Sequence, residues 1–94
     1  MPKVTAHPTP NPHSLKFTRD GARFVASGFV AFGAAEEAAG DPLGSALFAV
    51  RGVANVFIVP EFVTVTKHPA ASWDQLVPSI ERILAEHTAS AEAE

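Results

Sequence analysis

The clearest pattern along the chain is a pair of segments rich in valine, phenylalanine and threonine. Residues 53–59 and 62–67 flank Pro60-Glu61, and residues of these types favour extended backbone. Within 62–67 the valines alternate with threonines, as in a strand that buries one side and leaves the other open. The two segments therefore predict a β-hairpin at the centre of a sheet.

Two further strands are predicted near the N-terminus, on either side of a proline-rich turn. Residues 3–7 are expected to be extended up to the proline that follows them. Residues 14–18 alternate, with Leu15 and Phe17 opposite the polar side chains, which indicates a strand with one buried side. The prolines between the strands each fix one φ angle and restrict the preceding residue. We therefore expect a stiff turn over residues 8–13.

Two breaks divide the next part of the chain. Residues 20–21 are Asp-Gly, a strong signal for a two-residue hairpin turn, and this makes residues 24–26 a candidate returning strand. Residues 27–28 are Ser-Gly and mark a second break. The apolar residues 29–32 that follow are expected to continue the sheet.

Apolar residues at helical spacing predict two main helices. The first begins after Asp41, a favoured N-cap that is followed by proline at the first helical position. The second follows Ser72, which starts a Ser-x-x-Gln capping box, and its apolar stripe runs from Trp73 to Leu84. Pro78 interrupts this second helix, so we expect either a kink or a later start.

Two alanine-rich segments complete the map. Residues 34–39 are good helix formers and predict a short helix that Gly40 ends. Residues 88–94 offer nothing to bury, so we expect a disordered acidic tail after a single domain over residues 1–87. The predicted fold class is α+β, with an antiparallel sheet of about four to five strands and two main helices packed on one face.

Composition and charge exclude several classes of function. A chain of 94 residues with 47% apolar residues supports one hydrophobic core. Apart from the glutamates of the tail it is nearly neutral, so nucleic acid is not an expected partner. No stretch approaches the roughly 20 apolar residues of a membrane span, and no signal peptide is recognisable, so we expect a cytoplasmic protein. The absence of cysteine excludes disulfides, thiolate ligands and thiol nucleophiles.

No catalytic set is recognisable among the nucleophilic and acidic residues. The chain has no Gly-x-Ser-x-Gly elbow and no glycine-rich phosphate loop. The pair Glu36-Glu37 is most simply a solvated helix face, and helix starts account for Asp41 and Asp74. We therefore expect neither catalysis nor a bound cofactor.

The four histidines are the candidate metal ligands. They fall at the ends of predicted elements, and no pair has a standard ligand spacing. His7 and His68 would approach each other if the first and last strands were neighbours. An alternative function is therefore weak binding of iron or another metal by His7, His13, His68 and nearby carboxylates, while the simpler interpretation is that these side chains are solvated.

Basic residues and threonines mark a polar side of the predicted sheet. Lys16, Arg51 and Lys67 lie on or beside its strands, and Thr64 and Thr66 are polar within an otherwise apolar strand. Helices on one side of an antiparallel sheet leave the other side open. That side would suit an acidic or extended segment of a partner protein, or it is an ordinary exposed surface.

Several short motifs occur in the order found in one protein family. They are Thr9-Pro10-Asn11-Pro12, Ser14-Leu15-Lys16-Phe17, Asp41-Pro42-Leu43, Leu47-Phe48, Gly52-Val53, Val56-Phe57, Phe62-Val63-Thr64-Val65-Thr66-Lys67 and Trp73. Together these motifs resemble the N-terminal domain of the Nfu/NifU-like iron–sulfur scaffold proteins, over roughly residues 3–86. The resemblance implies an antiparallel sheet with helices packed against it, and a link to iron–sulfur cluster assembly.

The resemblance also implies which part of that task this chain would perform. In the longer members a Cys-x-x-Cys motif in a second, C-terminal domain holds the cluster, and this chain has no cysteine. The expected role is therefore accessory: contact with iron–sulfur assembly proteins or apo-targets, with the oligomeric state left open. The candidate partner-binding residues lie in two motif segments and are Thr9, Asn11, Pro12, Lys16, Thr64, Thr66 and Lys67.

Overall fold

Five strands and two helices build the fold. The structure is a computed structural model that describes residues 4–19, 24 and 28–93, with side chains to residue 86. Its elements, in chain order, are β1 (Val4–Pro8), β2 (Ser14–Arg19), β3 (Val30–Phe32), α1 (Pro42–Phe48), β4 (Val53–Ile58), β5 (Phe62–Lys67) and α2 (Trp73–Ala93). The strands form one antiparallel sheet in the order β1-β2-β5-β4-β3. The predicted α+β class is confirmed.

The predicted hairpin is confirmed and supplies the middle of the sheet. Strands β4 and β5 pair antiparallel across Pro60-Glu61, and the Val59 N–H donates to the Phe62 carbonyl oxygen at 3.0 Å. Strand β5 has a strand on each side, whereas β1 and β3 are the edges. The two N-terminal strands and the turn between them are confirmed as well.

The region before β3 is described only in part. The predicted turn at 20–21 and the returning strand over 24–26 lie outside the described residues, apart from Phe24. The N–H of Phe24 donates to the Pro60 carbonyl oxygen at 3.0 Å, and its side chain packs against the core. Of the apolar segment 29–32, residues Val30–Phe32 continue the sheet as β3.

The core lies between the sheet and the helices. Every second residue of β2, β5 and β4 is turned toward the helices, because side chains alternate along a strand. The largest fully buried side chains are Phe17, Leu47, Val56, Ile58, Val63, Val65, Ile80 and Leu84. Burial of one such side chain stabilises the fold by about 1.5–3 kcal/mol. The two helices therefore depend on the sheet, and the sheet on them.

Helix α1 begins as its sequence predicts. The carboxylate of Asp41 accepts the Gly44 N–H at 2.9 Å, and Pro42 occupies the first position of the helix. Gly44 is buried, and a Cβ atom added there would lie 2.6 Å from Cε2 of Phe32 in β3. The absence of a side chain at this position is what lets α1 approach the edge of the sheet.

The predicted short helix over 34–39 is wrong. The described hydrogen bonds there join residues three apart, from the Glu37 N–H to Ala34 and from the Ala38 N–H to Ala35, at 3.1 Å each. Residue propensity alone does not offset the cost of helix nucleation in a segment this short, whereas α1 has the Asp41 cap and Pro42 at its start. The segment over 34–39 forms consecutive turns instead, and Ala38 is fully buried in the core.

Helix α2 begins at Trp73, directly after Ser72, as its capping box predicts. It contains Pro78, so of the two expected effects of this proline the later start is excluded. Leu76, Ile80 and Leu84 bury its apolar stripe, and this packing offsets the hydrogen bond that proline removes. The sequence predicts a disordered tail from residue 88, whereas the helix continues to Ala93. The helix continues because alanine and glutamate are strong helix formers. The division into a domain over 1–87 and a tail stays a prediction.

Replacement of Gly44 tests the close contact between α1 and β3. We expect Gly44→Ala to lower the free energy of unfolding by about 1–3 kcal/mol, because the new methyl group must displace the Phe32 ring. Gly40→Ala is the matched control, since nothing lies within 4 Å of a Cβ at that position, and it should change stability by less than about 0.5 kcal/mol. Urea denaturation measures both, and equal midpoints for the two variants would contradict the contact.

Candidate functional site

The side of the sheet that faces away from the helices carries a continuous row of side chains. Lys16 is opposite His7 of β1 and Thr64 of β5. Thr64 is in turn opposite Phe57 of β4, and Phe57 is opposite Ala31 of β3. Directly opposed residues of an antiparallel pair project to the same side. The row therefore crosses all five strands of the sheet.

Two neighbouring rows complete this surface, which we name the open face. One row joins Thr5, Thr18 and Phe62, and the other joins Ser14, Thr66 and Asn55. The open face consists of Thr5, His7, Ser14, Lys16, Thr18, Ala31, Asn55, Phe57, Phe62, Thr64 and Thr66.

Aromatic rings give the open face an apolar component. Phe57 is 37% exposed, and its ring centroid lies 5.6 Å from that of Phe29, which precedes β3 and is 68% exposed. On the other side of the face, Lys16 Nζ lies 5.0 Å from the centroid of the Phe62 ring. Aromatic side chains next to a cation are enriched where proteins bind one another.

The sequence pattern indicates Lys16, Thr64 and Thr66 as candidate contact residues but does not indicate these phenylalanines. A signal for Phe57 is present in the sequence, because it stands between Val56 and Ile58, which are buried on the opposite side of β4. Phe29 and Phe62 lie at strand ends. Their place beside the open face follows only from the pairing of strands distant in sequence.

Hydrogen bonds within the open face hold several of its polar groups. Nε2 of His7 lies 3.0 Å from Oγ1 of Thr18, and Oγ of Ser14 lies 2.7 Å from Oγ1 of Thr66. Ser14 is only 8% exposed, so its hydroxyl depends on this partner. Thr66 is therefore part of the sheet's own structure as well as a candidate contact residue.

Thr9 and Asn11 shape the turn between β1 and β2. The Thr9 hydroxyl oxygen lies 2.8 Å from the Asn11 carbonyl oxygen and 2.9 Å from that of Ser14. Asn11 Oδ1 accepts the His13 N–H at 2.9 Å. Side chains of these types commonly form such local bonds in turns. Both residues adjoin the open face, and their side chains stabilise the turn through these hydrogen bonds.

The turn is also joined to the rest of the domain. The Pro12 carbonyl oxygen accepts the indole N–H of Trp73 at 3.2 Å, and the His13 carbonyl oxygen accepts the Lys67 N–H at 2.8 Å. Lys67 alternates with Thr66 and so projects to the other side of β5, where its Nζ lies 3.4 Å from the His68 carbonyl oxygen. The structure therefore separates Lys67 from the open face.

The described part of the chain contains no set of ligands for the metal-binding alternative. Strand β2 lies between β1 and β5, so His7 and His68 are not on neighbouring strands. Within the described residues, no three His, Cys, Asp or Glu side chains are grouped so that they could hold a metal ion.

The described helices also include none that is both long and apolar enough to cross a bilayer.

Comparison with known proteins identifies the family of this chain. The model of the family "Scaffold protein Nfu/NifU N terminal" matches residues 4–91. The chain belongs to this family. The expectation drawn from its motifs is confirmed, and the Nfu/NifU-like family functions in iron–sulfur cluster assembly.

Two relatives show how much of a longer protein this match covers. NifU-like protein 5, mitochondrial, from Arabidopsis thaliana is 40% identical over 77 residues, which are 82% of this chain and 28% of the relative. The human NFU1 iron-sulfur cluster scaffold homolog, mitochondrial, is 37% identical over 78 residues, or 82% of this chain and 30% of the relative. The Nfu/NifU N-terminal chain thus spans less than a third of the length of these curated relatives.

Solved structures share the fold. A NifU-like protein from Saccharomyces cerevisiae superposes with a TM-score of 0.79 at 22% identity, covering 93% of this chain and 78% of that one. Protein SAV1430 from Staphylococcus aureus gives a TM-score of 0.70 at 23% identity and covers 87% of this chain and 98% of that one. At these identities the likeness concerns the fold alone.

The hydrogen bond between Ser14 and Thr66 on the open face can be tested by its effect on stability. We expect Thr66→Val to lower the free energy of unfolding by about 1–2 kcal/mol, because it leaves a nearly buried hydroxyl without its partner. Thr64→Val is the matched control on the same strand and the same face, where no side-chain bond to a described residue is lost, and it should be neutral within about 0.5 kcal/mol. Urea denaturation of both variants decides, and an unchanged Thr66→Val midpoint would show that the bond contributes nothing.

Proposed function

We propose that this domain is a non-catalytic accessory module of iron–sulfur cluster assembly that binds partner proteins through its open face. The partners are assembly proteins or the apo-proteins that receive a cluster. The observation that carries the proposal is the exposed Phe57–Phe29 pair beside a sheet whose other side packs against the helices.

The exposed rings support binding because the domain leaves part of each ring open to solvent. Phe29 and Phe57 are the exposed large hydrophobic side chains of the described residues, and they contact each other. Aromatic side chains that stay exposed beside polar neighbours commonly mark protein interaction sites. Lys16, which lies beyond Thr64 in the same row as Phe57, adds a positive charge, which favours a partner segment with acidic residues.

The size of the open face favours a short-lived complex. Strands about 4.8 Å apart and about 17–20 Å long give a face of roughly 400 Å² for a five-stranded sheet. Stable complexes bury about 800 Å² on each partner. Contact through the open face alone would therefore be transient, as a module that helps pass a cluster between proteins requires.

The pair formed by His7 and Thr18 is the feature of the open face that most resembles catalytic chemistry. A hydroxyl activated by histidine needs a third group to orient the ring and donors for the developing oxyanion. His7 and Thr18 lie on the flat side of the sheet and do not line the grooves described below. We therefore interpret the pair as a cross-strand hydrogen bond.

The compartment stays a prediction. The sequence favours the cytoplasm by default, whereas the names of the Arabidopsis and human relatives place those proteins in mitochondria. The proposed role does not depend on this choice, because the open face would present the same side chains in either compartment.

A binding titration tests the open face. We expect a cysteine-bearing cluster scaffold domain, added to the ¹⁵N-labelled protein, to shift the NMR signals of Lys16, Phe57 and Thr64. Phe57→Ser should weaken binding by about tenfold or more, since truncation of an anchoring aromatic residue costs about 2 kcal/mol.

Glu86→Gln, an exposed position of α2 on the opposite side of the sheet, is the control and should bind like the parent. Shifts confined to the helices, or equal affinity for Phe57→Ser and the parent at unchanged thermal stability, would overturn the assignment of the open face. A second scaffold or an apo-target that shifts the NMR signals of the same residues would extend the assignment of the open face to that partner.

A further inference from the structure

A groove separates the end of α1 from the first half of α2, on the side of the molecule opposite the open face. Its volume is about 450 Å³. Ala46 and Ala49 form part of one wall, and their small side chains leave the space between the helices open. This groove is distinct from the open face in both position and composition.

The floor of the groove is apolar. Leu76 is 3% exposed and belongs to the core, while Val50 and Ile83 are half-buried and line the groove from either side. Gln75 and Ser79 of α2 supply neutral polar groups along the wall. An aliphatic side chain of a ligand would therefore find apolar contacts at the bottom and hydrogen-bonding groups above.

Two arginines give the groove its charge. Arg51, in the turn after α1, and Arg82, on α2, are both exposed and line the same groove. Among the described residues, no acidic side chain lines it with them. Within the part of the chain whose side chains are described, neither guanidinium takes part in an ion pair or hydrogen bond. Glu86 lies one helical turn beyond Arg82 and is not among the lining residues.

The groove is held in shape by the turn that carries Arg51. Gly52 has a φ of +106°, and a Cβ there would lie 2.9 Å from Cβ of Ala71. Its carbonyl oxygen accepts the His68 N–H at 2.8 Å. These contacts fix the turn against the residues that lead into α2. A second hollow of about 380 Å³ shares Arg51 and Gln75 with the groove and extends toward His68.

We propose that the groove binds an acidic, aliphatic segment of a partner protein. An aliphatic side chain of that segment would occupy the floor formed by Val50, Leu76 and Ile83, and a neighbouring carboxylate would pair with Arg51 and Arg82. Guanidinium groups match carboxylates through two parallel hydrogen bonds. This surface does not depend on the open face, so the domain can hold two partner segments at once.

Charge and shape favour this occupant over nucleic acid. Phosphate backbones are recognised by extended basic surfaces, whereas this chain has a net charge of −3 and the groove combines its two arginines with an apolar floor. A ligand with carboxylates and no aliphatic side chain would leave the floor exposed to water. A purely apolar ligand would desolvate two guanidinium groups without a counter-charge.

A synthetic peptide of Glu-Leu-Leu-Glu repeats is the probe that tests the proposal. We expect it to shift the side-chain Nε–Hε NMR signals of Arg51 and Arg82 and the backbone signals of Gln75 and Ser79. A peptide of Lys-Leu-Leu-Lys repeats is the control and should leave these signals unchanged. Equal binding of the two peptides, binding of neither, or shifts centred on the open face would each overturn the proposal.

Matched variants identify the groove as the site. The double variant Arg51→Gln, Arg82→Gln should bind the acidic peptide about tenfold more weakly or worse, as expected for the loss of a charged hydrogen-bonded pair. Both residues are exposed, so circular dichroism should show an intact fold. Lys3→Gln removes one positive charge from a residue that is neither a member of the open face as defined above nor among the described residues that line the groove, and this variant should bind like the parent.

Equal weakening by Lys3→Gln would mean general charge attraction and would overturn the assignment of the groove as the binding site. Inorganic phosphate that shifts the two arginine signals as strongly as the peptide would also overturn it, because the site would then be a simple anion site. The result is separable from the open-face experiment, since that titration uses a folded scaffold domain and reports on Phe57 and Thr64.

Discussion

The alternation of side chains along the central strand β5 is the constraint on which the rest of the molecule depends. Val63 and Val65 are fully buried beneath the helices, and Thr64 and Thr66 are consequently on the open face. The neighbours of β5 follow the same alternation because register is shared across a sheet. A shift of one residue would exchange the core and the open face, so the same packing that stabilises the fold determines which groups are presented to partners.

Much of the fold could be predicted because its signals are local. The β5 alternation, the Asp41 cap and the apolar stripe of α2 each lie within one short segment, and each has its predicted role. The turns over 34–39 could not be predicted, because helix propensity there competes with a length too short for nucleation.

The candidate site was predictable only in its polar half. Lys16, Thr64 and Thr66 stand out by type within their strands, and the structure brings them to one face. Phe29 and Phe57 resemble core residues in the sequence, and their exposure depends on the pairing of β3 with β4. The groove could not be predicted, because it lies between helices that are distant in sequence. Arg51 lines this groove and is not part of the sheet. Lys67 lies on its predicted strand but projects to the side of β5 away from the open face, so its role in partner binding stays a prediction.

The bond between Trp73 and Pro12 has a practical consequence. The chain has one tryptophan and no tyrosine, so its near-ultraviolet fluorescence comes almost entirely from one indole ring. That ring lies half-buried where the proline-rich turn meets the start of α2, next to the edge of the open face. The domain thus contains a built-in optical reporter at this junction, whose emission records how the turn and the helix stay together without any added label.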